Sequence, residues 1–139
     1  MHQNPSDEEI RELLQSSRTV AVVGLSDRPY RTSHAIARAL QSFGFRIFAV
    51  NPNLTAPVLG EQPHASVEEI GAPVDIVDVF RSSEKVMPTA VDAVAAGARA
   101  LWMQSGVINE EAAAYAADHG LTVVMDRCIK VEYAALAAR

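Results

Sequence analysis

The sequence predicts an α/β fold: a five-stranded, mainly parallel sheet with helices on both faces. Three observations carry that expectation. Short apolar runs alternate with helix-length segments along the whole chain. The runs are apolar throughout rather than alternating with polar residues, as strands buried on both faces are. Each run ends in glycine or polar residues, where a strand gives way to a loop.

The elements follow in order. Ser6 can cap a first helix, with Glu9 three residues later as a capping box, and Ile10, Leu13 and Leu14 share one face. Strand one is Thr19 to Gly24. A helix runs from about Ser33 to Ser42, with Ile36, Ala37 and Leu40 inward, and Gly44 stops it. Strand two is Arg46 to Val50, broken by Asn51-Pro52, because proline lacks a donor and restricts its predecessor. Leu54 to His64 reads as a loop. Ser66 to Ile70 reads as a short helix capped by Ser66. Strand three is Val74 to Phe80. Ser83 can start the next helix, with Pro88 in its first turn and the main body from Pro88 to Ala96, ending at Gly97. Strand four is Ala100 to Gln104. Asn109 caps a helix from Glu110 to His119, and strand five is Leu121 to Met125. A last, alanine-rich helix begins near Ile129. Right-handed crossovers make this a doubly wound, Rossmann-like arrangement.

Composition narrows the function. A chain of 139 residues reads as one domain, with an N-terminal helix in residues 1–17 and a core in residues 18–139. The net charge is -5 and no basic face is present, which argues against a nucleic-acid partner. The single cysteine, Cys128, excludes an internal disulfide and fits a reducing cytoplasm. The acidic N-terminus is unlike a signal peptide, and no apolar run reaches membrane-span length. His2, His34, His64 and His119 are scattered without metal-ligand spacing, so no metal site is expected. The alanine-rich last helix can pack against a second copy, making a homo-oligomer possible.

In doubly wound sheets ligands sit at the carboxyl ends of the strands. Here those ends carry Gly24-Leu25-Ser26, Asn51-Pro52, Arg81-Ser82, Gln104-Ser105-Gly106 and Asp126-Arg127-Cys128. The first loop is the best phosphate cradle. Gly24 permits a tight turn, Ser26, Thr32 and Ser33 offer hydroxyls, Arg28 and Arg31 offer charge, and a helix N-terminus follows. A dinucleotide fingerprint wants three glycines and an acid after strand two, and both are missing. A Walker lysine-serine pair is missing too.

Other strand-end residues have two readings each. Asn51-Pro52 either positions a nucleotide edge or ends a strand. Arg81 either reaches a ligand or pairs with Asp78 or Glu84. Gln104 and Gly106 either contact a polar ligand arm or form a turn. Cys128 is either a thiol activated by Arg127, Lys130 and a helix N-terminus or a small buried side chain. Trp102 and Met103 read as core. Asp75 and Asp78 lie three apart in one strand, on opposite faces, and form no acid/base pair.

Five segments in order, Val20-Ala-Val-Val-Gly-Leu-Ser26, Val50-Asn-Pro52, Val74-Asp-Ile-Val-Asp-Val-Phe-Arg81, Leu101-Trp-Met-Gln-Ser-Gly106 and Val124-Met-Asp-Arg-Cys128, carry a family resemblance. Together they resemble the small bacterial and archaeal CoA-binding proteins, stand-alone relatives of the CoA-binding domain in the succinyl-CoA synthetase alpha subunit. The likeness covers about residues 18 to 136. It implies coenzyme A or an acyl-CoA held at the strand ends. By position, Gly24, Ser26, Arg28 and Ser33 would serve the phosphates, Leu25 would belong to the same binding loop, and Asn51 and Pro52 would line the pocket. Phe80 and Arg81 would hold the nucleotide end, Gln104 and Gly106 would lie near the pantetheine arm, and Cys128 near the CoA thiol. The phosphohistidine segment and further domains that the synthetase needs for ligation have no place here. The expectation is therefore a non-catalytic carrier, sensor or subunit. The alternatives are a CoA-dependent thiol enzyme using Cys128 and an NAD(P)-binding redox sensor.

Overall fold

The computed structural model describes residues 1–137; residues 138 and 139, the end of the expected core, lie outside it. The chain alternates α1 (Asp7–Ser16), β1 (Thr19–Val23), α2 (Thr32–Ser42), β2 (Arg46–Val50), β3 (Pro63–His64), β4 (Ile76–Val79), α3 (Val86–Ala95), β5 (Ala100–Met103), α4 (Glu110–Asp118), β6 (Thr122–Val124) and α5 (Ile129–Ala137). Short 3-10 turns at Glu68–Ile70 and Ser83–Lys85 complete it.

The sheet has six parallel strands in the order β3-β2-β1-β4-β5-β6. The sixth strand, beyond the five expected, is Pro63–His64 at the edge beside β2. Two residues including a proline give no strand pattern in sequence, and an edge is where a proline is tolerated. The order reverses between β1 and β4, so successive right-handed crossovers put their helices on opposite faces. Ile36, Ala37 and Leu40 of α2 join α1 and α5 over Val20, Val22, Ile76 and Trp102. Small side chains of α3 and α4, among them Ala90, Ala93, Ala112 and Ala116, cover Val23, Val77, Leu101 and Met103 on the other face.

Local signals explain most boundaries. The Ser6 hydroxyl accepts from the Glu9 N–H at 3.2 Å and Glu9 returns to the Ser6 N–H, closing the expected box. Asn109 caps α4 through the Ala112 N–H at 2.8 Å. Pro88 sits in the first turn of α3, which starts two residues earlier than expected. The expected helix at Ser66 is only a 3-10 turn, with no side-chain cap. The N-terminal segment clasps the β6 edge: the Asn4 amide bonds both the Met125 C=O (2.9 Å) and the Met125 N–H (2.7 Å). Tyr133 of α5 stacks on Phe43 at 4.4 Å, docking the last helix on its own chain.

Candidate functional site

Reversal of strand order opens a crevice at the carboxyl ends of β1 and β4. A cavity of about 770 Å³ lies there, within the usual range for small-molecule sites. Its near wall is the β1–α2 loop: Gly24, Ser26, Arg28, Arg31, Thr32 and Ser33. Its floor and far wall are Ile36, Phe80, Arg81, Gln104, Ser105, Val107 and Cys128.

Gly24 makes the crevice possible. Its φ is +88°, and its N–H donates to the Val50 carbonyl at 2.8 Å. The Phe80 N–H donates to the Val23 carbonyl at 2.8 Å, carrying the β1–β4 ladder one step past the strands. A Cβ at position 24 would drive into the Phe80 carbonyl oxygen. Beyond it the loop is braced by hydroxyls. The Ser26 N–H donates to the Ser33 Oγ at 3.0 Å, and the Arg28 N–H to the Ser26 Oγ at 3.1 Å.

The Ser33 hydroxyl, expected from sequence to be offered to a phosphate, thus braces the loop as an acceptor. The residue in the cap position of α2 is Arg31, whose side chain makes no capping bond. Ala35 N–H to Arg31 C=O, at 3.1 Å, is the first helical bond. Among the described residues the N–H groups of Thr32, Ser33 and His34 donate to no protein acceptor. Uncapped N–H groups at a helix start, with the positive end of its dipole, suit an anion. Arg28, Arg31 and Arg81 all line the cavity, and among the described residues none has a carboxylate within ion-pair distance. The pairing of Arg81 with Asp78 or Glu84, one of its two readings from sequence, does not occur. No acidic side chain lines the cavity.

Eight of the sequence-proposed residues thus meet at one cavity: Gly24, Ser26, Arg28, Ser33, Phe80, Arg81, Gln104 and Cys128. Four stand off it. Leu25 is fully buried. The Asn51 amide braces the loop, donating to the Leu25 carbonyl at 3.1 Å and accepting from the Asn53 N–H. Pro52 lines a separate small recess that Arg81 also reaches, with Thr89 and Asp92. Burial, and then the charge of Glu68, push the Asp92 carboxyl up. The Gly106 N–H is held by Asp126 at 2.7 Å. Gln104 spends its Oε1 on the Ile129 N–H at 3.0 Å, fixing the start of α5. The Trp102 indole donates to the Arg127 carbonyl at 2.8 Å, so Cys128 is held between two anchored neighbours. Its side chain is half-buried.

Arg31 and Thr32 were legible as loop residues and Ile36 only as an inward-facing helix residue, whereas Val107 carried no signal of its own in the sequence. Asp78 is a second surprise. Its register partners are Val22 and Trp102, and it shares a face with Phe80, one row beneath the cavity floor. It is fully buried, and neither carboxyl oxygen has a hydrogen-bond partner. Burial pushes its carboxyl well above the usual range. Asp75 lies at the opposite end of the sheet, accepting from the Arg18 N–H at 2.7 Å.

A family model described as a CoA binding domain matches residues 18–134. The uncharacterized protein YneT of Bacillus subtilis (strain 168) is 48% identical over 132 residues, covering 95% of this chain and 97% of that protein. A protein from Thermus thermophilus of solved structure is 34% identical, with a TM-score of 0.90, over 95% of this chain and 99% of that one. A hypothetical protein from Pyrococcus horikoshii OT3 is 31% identical, with a TM-score of 0.91, over 99% of both chains.

Proposed function

This chain belongs to the CoA-binding domain family, and from that premise we propose that it holds coenzyme A or an acyl-CoA across the carboxyl ends of β1, β4 and β5. It does so as one domain and acts as a carrier, sensor or subunit rather than a complete enzyme. One observation carries the reading: a crevice with three arginines and no acid, at an uncapped helix N-terminus. The strand order is shared with dinucleotide-binding sheets, so order alone does not choose the ligand. Charge does. A ribose held by its hydroxyls calls for an acid after β2, and Val50-Asn51-Pro52 stands there. A polyanionic nucleotide calls for arginines, and they are present.

The test compares CoA, acetyl-CoA, NAD and ADP by thermal shift. Ligand at a hundred times its dissociation constant adds about 2.7 kcal/mol. For this size that is a rise of about 10 °C. CoA or acetyl-CoA should give it and NAD should not, and Arg81→Ala should shrink it. A clear shift with NAD and none with CoA rejects the reading.

The place of Cys128 in the cavity wall favours a second reading, a CoA-dependent thiol enzyme. Incubation with CoA disulfide, followed by mass spectrometry without reductant, checks it. A CoA adduct on Cys128 supports thiol exchange, and an unmodified chain leaves simple binding.

A further inference from the structure

The rim of the cavity carries more positive charge than a pyrophosphate needs. The N–H groups of Thr32, Ser33 and His34 form one anion seat at the start of α2, which suits a pyrophosphate bridging two halves of a ligand. Arg28 and Arg31 lie on the loop that leads into that helix. Between them stands Tyr30, one of the few large apolar-bodied side chains left in solvent, at 75% exposure. The three form a unit. The Arg28 Nη1 donates to the Tyr30 Oη at 3.2 Å, and the Arg31 guanidinium lies 5.8 Å from the Tyr30 ring centre. The Arg31 N–H closes the turn on the Arg28 carbonyl at 3.0 Å. Both arginines line the cavity, and among the described residues neither has a carboxylate partner.

Two exposed, unneutralised arginines beside one another cost repulsion unless an anion joins them. A fold needs neither them nor an exposed tyrosine at a loop tip. A phosphomonoester brings about -1.5 to -2 charges and three acceptor oxygens, enough for two guanidinium groups. An aromatic face beside a guanidinium is also where a purine stacks.

We propose that Arg28, Tyr30 and Arg31 form a strap that reads the 3′-phosphate of the ligand's adenosine, so that the site selects coenzyme A over its 3′-dephospho form. This rests on the CoA reading above and adds the ligand feature that sets its specificity. Arg28 and Arg31 make the phosphate contacts. Tyr30 is a positioning residue: its hydroxyl fixes Arg28 and its ring faces Arg31.

The experiment is a two-ligand titration by calorimetry, with CoA and 3′-dephospho-CoA. The parent should bind CoA about 30-fold more tightly, the worth of a charge-assisted phosphate contact. The Arg28→Ala/Arg31→Ala double variant should lose that advantage on CoA and bind 3′-dephospho-CoA within about 3-fold of the parent. Tyr30→Phe keeps the ring and removes the Oη acceptor. It should lower CoA affinity by about 3-fold and leave 3′-dephospho-CoA unchanged, a difference that general loosening of the loop would not produce. Equal affinity of the parent for both ligands overturns the proposal while leaving the CoA reading intact. So does an equal loss on both ligands in the double variant. Binding of neither ligand overturns both.

Discussion

Replacing Gly24 by alanine is expected to destabilise the protein by about 2–4 kcal/mol and to abolish CoA binding. Two terms add. The residue sits at φ +88°, where an L side chain costs roughly 1–2 kcal/mol. The new Cβ would also meet the Phe80 carbonyl oxygen, a backbone atom at the end of β4. Neither neighbour can step aside cheaply. The Gly24 N–H is bonded to Val50 of β2, and the Phe80 N–H to the Val23 carbonyl of β1. Relief therefore opens the sheet at the point where its strand order reverses, which is the floor of the cavity. For this chain length the loss is about 7–14 °C in Tm. Gly44 provides the control. Its φ is +102°, but a Cβ there meets nothing within 4 Å, so Gly44→Ala carries only the conformational cost. Thermal unfolding of both variants, with CoA titration, checks the claim. A Gly24→Ala protein no less stable than Gly44→Ala would show that the close approach is not what fixes this glycine.

The contrast between these two glycines shows what a sequence makes legible. Gly24 and Gly44 are equally plain as breaks after apolar or helical segments. Only the register of β1 against β4 reveals that one of them carries a crossing of two backbones. The strands themselves were readable because valine-rich runs buried on both faces leave few alternatives. Pro63–His64 was not, since pairing at an edge adds no periodic signal. At the site, strand-end position was enough to nominate Phe80, Arg81 and Gln104. It could not tell a side chain that faces the cavity from one spent on the scaffold. Asn51 has the right place and chemistry for a ligand, yet its amide holds Leu25 and Asn53. Ser33 has a hydroxyl suited to a phosphate, yet it holds the Ser26 N–H. Ile36 and Val107 line the cavity as apolar residues, and an apolar residue in sequence carries no mark of a ligand.

Asp78→Val is expected to raise stability at neutral pH by about 2–4 kcal/mol, or about 7–14 °C. The strand around Asp78 asks for an apolar residue: Ile76, Val77 and Val79 are fully buried, and Val22 and Trp102 flank it in register. An unpartnered carboxyl there loses its hydration and receives no hydrogen bond in exchange. Burial pushes its pKa up, which fixes the sign of the pH effect. Between the unfolded value of about 3.9 and the raised native one, the native state keeps the proton and the unfolded state releases it. This group's contribution to stability is therefore full below the unfolded value and is lost as pH rises through the raised native value, at about 1.4 kcal/mol per pH unit. Asp78→Asn removes the titration and keeps a buried polar group, so it should flatten the pH dependence with a smaller gain. Thermal midpoints from pH 4 to 8 for the parent and both variants separate the two terms, and a parent-minus-valine difference that does not grow with pH would refute the protonation argument. The same proteins should be titrated with CoA. A carboxyl kept one row beneath Phe80 at such a cost to stability is the usual mark of a functional demand. If Asp78→Val is more stable but binds CoA more weakly, the carboxyl serves the cavity above it. If affinity is unchanged, Asp78 is excess strain that the fold can shed.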